Sequence, residues 1–86
     1  MEATLEISMY PLQKQYKEDI KSFIRALQSR EEVNVVPNGI STHVFGPYAA
    51  IMSIMQSEIK AELEKKHGLV FVMKLTSGRH DEKPEL

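Results

Sequence analysis

A chain of 86 residues with 42% hydrophobic and 27% charged side chains suffices for one small soluble domain and leaves no room for a second core. Its formal net charge of −1, with lysine and arginine scattered along the chain, gives no electrostatic draw toward nucleic acid or an anionic membrane. The absence of cysteine excludes disulfides, zinc ribbons and thiol nucleophiles.

No apolar run approaches the length of a bilayer span, and Met1-Glu2-Ala3 leads into an alternating pattern instead of a signal peptide, so the expected location is cytoplasmic. Residues 4–10 alternate, with Leu5, Ile7 and Met9 on one face and Thr4, Glu6, Ser8 and Tyr10 on the other, which predicts a half-buried strand ended by Pro11. From Lys14 to Ser29 the period becomes helical, through Tyr16, Ile20, Phe23, Ile24 and Leu27. A second strand is expected over Val33–Pro37.

Asn38-Gly39 is the preferred pair for a two-residue type I′ turn and predicts a tight hairpin into the third strand. That strand would set Ile40, Thr42 and Val44 on one face and Ser41, His43 and Phe45 on the other. Gly46-Pro47 closes it, with Pro47 suited to the first position of a helix that runs to His67. The apolar stripe of that helix is Tyr48, Ile51, Met52, Met55, Ile59 and Leu63, its last turn is rich in lysine, and Gly68 is the expected C-cap. A fourth strand over Leu69–Leu75 follows, with Leu69, Phe71, Met73 and Leu75 on its more apolar face.

The order β-α-β-β-α-β predicts an α+β ferredoxin-like sandwich, because right-handed crossovers place both helices on one face of a four-stranded sheet. The domain would span residues 1–76, and residues 77–86 would be a polar, frayed tail. Strands one and three would be central, aiming Met9 and Thr42 toward the helices. The opposite face would carry Tyr10, His43, Phe45, Val70 and Val72 with no further element to cover it. Such a patch predicts an interface, most simply between copies of the chain in a homodimer or homotetramer.

Catalytic constellations are scarce. His43, His67 and His80 show no metal-ligand spacing, Ser41 and Thr42 have no nucleophile-elbow pattern, and the four glycines are isolated, so no phosphate loop is present. These features predict neither a metal site nor a cofactor, and a chain that is not an enzyme. Acylphosphatases share the architecture but need an arginine in a glycine-rich loop after the first strand, where this chain has Pro11-Leu12-Gln13-Lys14-Gln15. RNA-recognition modules share it too, but Tyr10 and Phe45 alone make too thin an aromatic platform. Met9, Met52, Met55 and Met73 would fill irregular core gaps, or line a cavity for a flat heteroaromatic ring. Thr42 would orient such a ligand, although a hydroxyl satisfied by a neighbouring carbonyl is the plainer account from periodicity alone.

Ile7-Ser8-Met9-Tyr10-Pro11-Leu12, with the helix carrying Tyr16, Ile20 and Leu27, resembles the first strand and helix of the YkoF-like thiamine/hydroxymethylpyrimidine-binding family. Ile40-Ser41-Thr42, His43-Val44-Phe45, the long second helix and Val72-Met73-Lys74-Leu75 continue the likeness nearly to Leu75. The resemblance implies a ferredoxin-like fold that binds thiamine or its pyrimidine precursor without turnover, in uptake or salvage. It carries ligand contacts over to Met9, through backbone atoms, and to Thr42, with Ser8, Tyr10, Ser41 and Asn38 as neighbouring candidates. The family's tandem form has two such domains where this chain has one, so a homodimer would supply the second. The alternative is an oligomerisation or regulatory module with no thiamine ligand.

Overall fold

The computed structural model describes residues 1–12, 16–65 and 68–81, apart from the side chain of Tyr16. The expected helix start at Lys14, the Tyr16 contact, the helix end at His67 and the last five residues of the expected tail lie outside them. The elements are β1 (Glu2–Pro11), α1 (Tyr16–Gln28), β2 (Asn34–Pro37), β3 (Thr42–Pro47), a second helix α2, and β4 (Leu69–Ser77). α2 is built of Tyr48–Ile54, a π-helical turn at Met55–Ile59, and Lys60–Lys65. The sheet order is β2-β3-β1-β4 with every neighbouring pair antiparallel, which is the ferredoxin-like arrangement.

Alternation along β1 and β3 decides what the core contains. Ala3, Leu5 and Ile7 from β1 and Val44 from β3 are buried under Phe23 and Leu27 of α1 and Ile51, Ile54 and Ile59 of α2. Met9, Met52 and Met55 pack against this cluster as partly buried residues, whereas Met73, expected beside them, is 40% exposed.

The second helix departs from its expected stripe for a mechanical reason. Ile51, Ile54, Ile59 and Glu62 face inward, with a spacing of five residues across the π-helical turn. That extra residue rotates the last stretch by about 100° relative to a regular helix. Leu63 is turned out to 49% exposure and Glu62 is turned in, where its carboxylate meets Lys65 Nζ at 3.6 Å. Arg30, just beyond α1, grips this turn by donating to Ser53 Oγ, Ser57 Oγ and Glu58 Oε1.

Three sequence expectations are corrected. Pro47 caps α2 in an extended conformation, and the helix starts at Tyr48, whose N–H donates to the Met1 carbonyl at 2.9 Å. Asn38-Gly39 does not form a type I′ turn: neither residue has positive φ, and Pro37 pairs with Thr42 across a four-residue loop, Asn38–Ser41. Ile40 consequently sits in that loop, 88% exposed, and not on the face it was expected to share with Thr42 and Val44.

Residues after the expected domain end at 76 are also engaged in the fold. Ser77 closes β4, Gly78 N donates to the Glu2 carbonyl, and Thr4 Oγ1 donates to the Gly78 carbonyl while accepting from His80 N. Arg79 pairs with Asp81 at 2.6 Å and Glu2 at 3.6 Å, and these carboxylates raise its pKa further above the ordinary arginine value, Asp81 contributing most.

Gly46 is required by close approach. A Cβ there would lie 2.9 Å from the Glu32 carbonyl oxygen and 3.0 Å from Val33 Cγ1. Gly46→Ala is expected to cost about 1–3 kcal/mol through overpacking, read as a lower midpoint in urea unfolding.

Candidate functional site

The two ladders of β1 end at different places, and this opens a site. β1 pairs with β4 as far as Pro11↔Leu69, but its pairing with β3 stops at Ile7↔Thr42. The loop Asn38–Ser41 diverges there, so the Ser8–Met9 main chain faces a gap where a strand neighbour would otherwise be. A cavity of about 140 Å³ fills this corner, lined by Ile7, Ser8, Met9, Ile20, Ile24 and the run Asn38–Thr42. Cavities of about this volume admit a single aromatic ring.

The site has an apolar wall and a polar rim. Ile7 of β1 and Ile20 and Ile24 of α1 supply the wall, because the helical stripe and the inner strand face converge there. Thr42 is 7% exposed, and its hydroxyl has no hydrogen-bond partner among the described residues. The satisfying carbonyl offered as its plainer explanation is thus missing from them.

The other rim groups are held by local bonds. Asn38 Oδ1 accepts from the N–H groups of Ile40 and Ser41, both at 2.8 Å, and Asn38 N donates to the Ser41 carbonyl at 2.9 Å. Asn38 is therefore the organiser of the loop, its amide oxygen fully used. Ser8 Oγ donates to the Ile40 carbonyl at 3.4 Å, and Ser41 Oγ reaches Glu6 Oε2 at 3.5 Å. Asn38→Ala is expected to lower stability by about 1–2 kcal/mol and to raise amide exchange at Ile40 and Ser41, read by hydrogen-exchange NMR.

Five of the six sequence-derived candidates, Met9, Thr42, Ser8, Ser41 and Asn38, line this one cavity. Tyr10 does not: alternation places it on the outer sheet face, half exposed. Ile7, Ile20 and Ile24 had been read only as core residues, and their role as a wall appears once the loop is seen to stand away from β1.

Glu6 was placed on the outer face of the first strand, but its pairing was not foreseen. On the outer face it lies between His43 and Lys74 in register, with His43 Nε2 at 3.0 Å and Lys74 Nζ at 3.8 Å. The orientation of Asn38 puts its Nδ2 3.5 Å from His43 Nδ1, so this cluster touches the loop of the cavity. Opposed positions on paired strands were the signal that could have found it.

The outer face is less uniformly apolar than its pattern suggested. Phe45 is buried and stacks with His43 at a centroid distance of 6.0 Å, leaving Tyr10, Val70 and Val72 as the exposed members of the expected patch. Among the described residues no cluster could hold a metal ion and no helix is long and apolar enough to cross a membrane.

No known family profile matches the chain, and no curated protein matches it in sequence. Solved structures do match in fold. A Thermotoga maritima protein, TM0486, provisionally assigned to thiamine biosynthesis or salvage, superposes with a TM-score of 0.77 at 16% identity, covering 91% of this chain and 85% of its own. Protein SP2199 of Streptococcus pneumoniae gives 0.75 at 18% identity over 92% and 89% of the two chains. The hypothetical protein MJ1052 of Methanocaldococcus jannascii gives 0.73 at 20% identity over 95% and 84%. These likenesses establish the ferredoxin-like fold.

Proposed function

We propose that the chain is a binding protein, without turnover, for hydroxymethylpyrimidine or for the pyrimidine portion of thiamine. The observation that carries this reading is the Thr42 hydroxyl, without a hydrogen-bond partner among the described residues, on a ring-sized cavity walled by Ile7, Ile20 and Ile24. An aminopyrimidine has flat faces that need apolar walls, with ring nitrogens and an exocyclic amine that need hydrogen-bond partners. Thr42 Oγ1 and the Ser8–Met9 main chain would provide those partners, and the loop tied by Asn38 would hold the rim in place. The likeness in fold to TM0486 supports the same reading.

The cationic thiazolium of thiamine would be costly to bury alone. Among the described residues no carboxylate lines the cavity, and Glu6 is already engaged by His43 and Lys74. The pyrimidine therefore enters first and the thiazolium stays at the mouth. Titration calorimetry with hydroxymethylpyrimidine and with thiamine tests the proposal. Saturation near one ligand per chain is expected, and folded protein silent toward both would leave the alternative of a regulatory or oligomerisation module.

A further inference from the structure

Ile40 sits where its side chain adds nothing to the fold. It is 88% exposed, more than any other large hydrophobic residue described, and it belongs neither to the buried core cluster nor to the residues packed against it. Isoleucine is β-branched and suits a strand better than the short loop Asn38–Ser41. A single exposed apolar residue on an ordinary surface needs no explanation. This one lines the same cavity as Ile7, Ile20 and Ile24.

Its main chain is anchored while its side chain stands in water. Ile40 N donates to Asn38 Oδ1 at 2.8 Å, and the Ile40 carbonyl accepts from Ser8 Oγ at 3.4 Å. One bond runs within the loop and the other crosses the gap to β1, so the residue is held at the rim from both sides. The space beside it is open, since a Cβ on Gly39 would meet no atom within 4 Å beyond its chain neighbours. The side chain can therefore change rotamer with neither bond broken.

The cavity has a use for such a residue once it is filled. Its apolar wall belongs to β1 and α1, so a flat ring resting on that wall turns its other face toward the loop. The other loop-side lining residues, Asn38, Gly39, Ser41 and Thr42, are polar or carry no side chain. From that side Ile40 offers the apolar cover. We infer that Ile40 is a ligand-contact residue, its side chain turning down from the rim onto the face of the bound ring that Ile7, Ile20 and Ile24 leave bare. The inference rests on the binding reading above and deepens it, because the ring is then covered on both faces. Apolar area leaves water only when the ring arrives, so Ile40 contributes to affinity and not to the stability of the empty fold.

Nuclear magnetic resonance of the chain labelled at its isoleucine δ1 methyls tests this, with hydroxymethylpyrimidine as the probe. The Ile40 signal is identified by its loss in Ile40→Leu. At saturation, nuclear Overhauser transfer from the pyrimidine ring proton is expected to reach Ile40 as well as Ile20 and Ile24. Ile40→Ala is expected to weaken binding about fivefold at an unchanged urea midpoint, and Ile40→Leu to restore most of the loss. Transfer to Ile20 and Ile24 with none to Ile40 would overturn the inference and leave the binding reading standing. Full affinity in Ile40→Ala would do the same. A folded chain that binds neither hydroxymethylpyrimidine nor thiamine would remove both.

Discussion

Leu27→Ala is expected to destabilise the fold by about 2–5 kcal/mol, the largest stability effect of any substitution considered. Leu27 is completely buried on α1 and belongs to the cluster joining Leu5, Ile7 and Val44 of the sheet to Ile51 and Ile54 of α2. Its loss removes the transfer free energy of the side chain and leaves a void that two layers of secondary structure cannot close without moving. A domain of this size has a total stability of about 4–13 kcal/mol, so the variant gives up a large fraction of it. Thermal unfolding should report a midpoint lowered by roughly 10–30 °C. A shift below about 5 °C would mean that the core tolerates local collapse, and that α1 is not the keystone its burial makes it.

Thr42→Val is expected to have the largest effect on binding, at least a tenfold loss of affinity for hydroxymethylpyrimidine, or about 1.4 kcal/mol. Valine keeps the branched shape and removes only the hydroxyl. Because that hydroxyl has no partner among the described residues, the same change should alter unfolding free energy by less than about 0.5 kcal/mol. Binding and stability therefore separate the two readings of this residue. Undiminished binding with a stability loss of about 1 kcal/mol would mean that Thr42 serves the fold through an internal hydrogen bond.

Much of the architecture was legible in the sequence because the periods are clean. Leu5, Ile7 and Met9 on one side of β1, and Ile20, Phe23, Ile24 and Leu27 along α1, leave little freedom in which face turns inward. Two errors have separate physical causes, one a contact between elements and one a side-chain bond within a loop. The expected stripe through Leu63 assumed one unbroken helix, whereas the Arg30 contacts coincide with a π-helical turn that redirects its last stretch and turns Glu62 inward. The expected tight turn at Asn38-Gly39 was a local preference, and the Asn38 side chain, accepting from Ile40 and Ser41, forms a wider loop in its place.

That second error bears on the site. A two-residue turn would have carried the β1–β3 ladder further and closed the gap beside Ser8 and Met9. Sequence reasoning could bring Met9 and Thr42 to one face of the central strands, but the cavity between them depends on where the ladder stops. Tyr10 was included by adjacency, and alternation sends it to the opposite face. Glu6 and His43 were each visible on outer strand faces, and only the register Glu6↔His43 joins them.

The measurement that tests the central claim most directly is titration calorimetry of the folded chain with hydroxymethylpyrimidine, alongside thiamine. The site geometry calls for saturable binding near one ligand per chain, and for its weakening in Thr42→Val while the fold stays intact. Absence of heat and of competition with both compounds, from protein whose fold is verified by its spectrum and its cooperative unfolding, would contradict the proposal and assign the cavity to another ligand or to none.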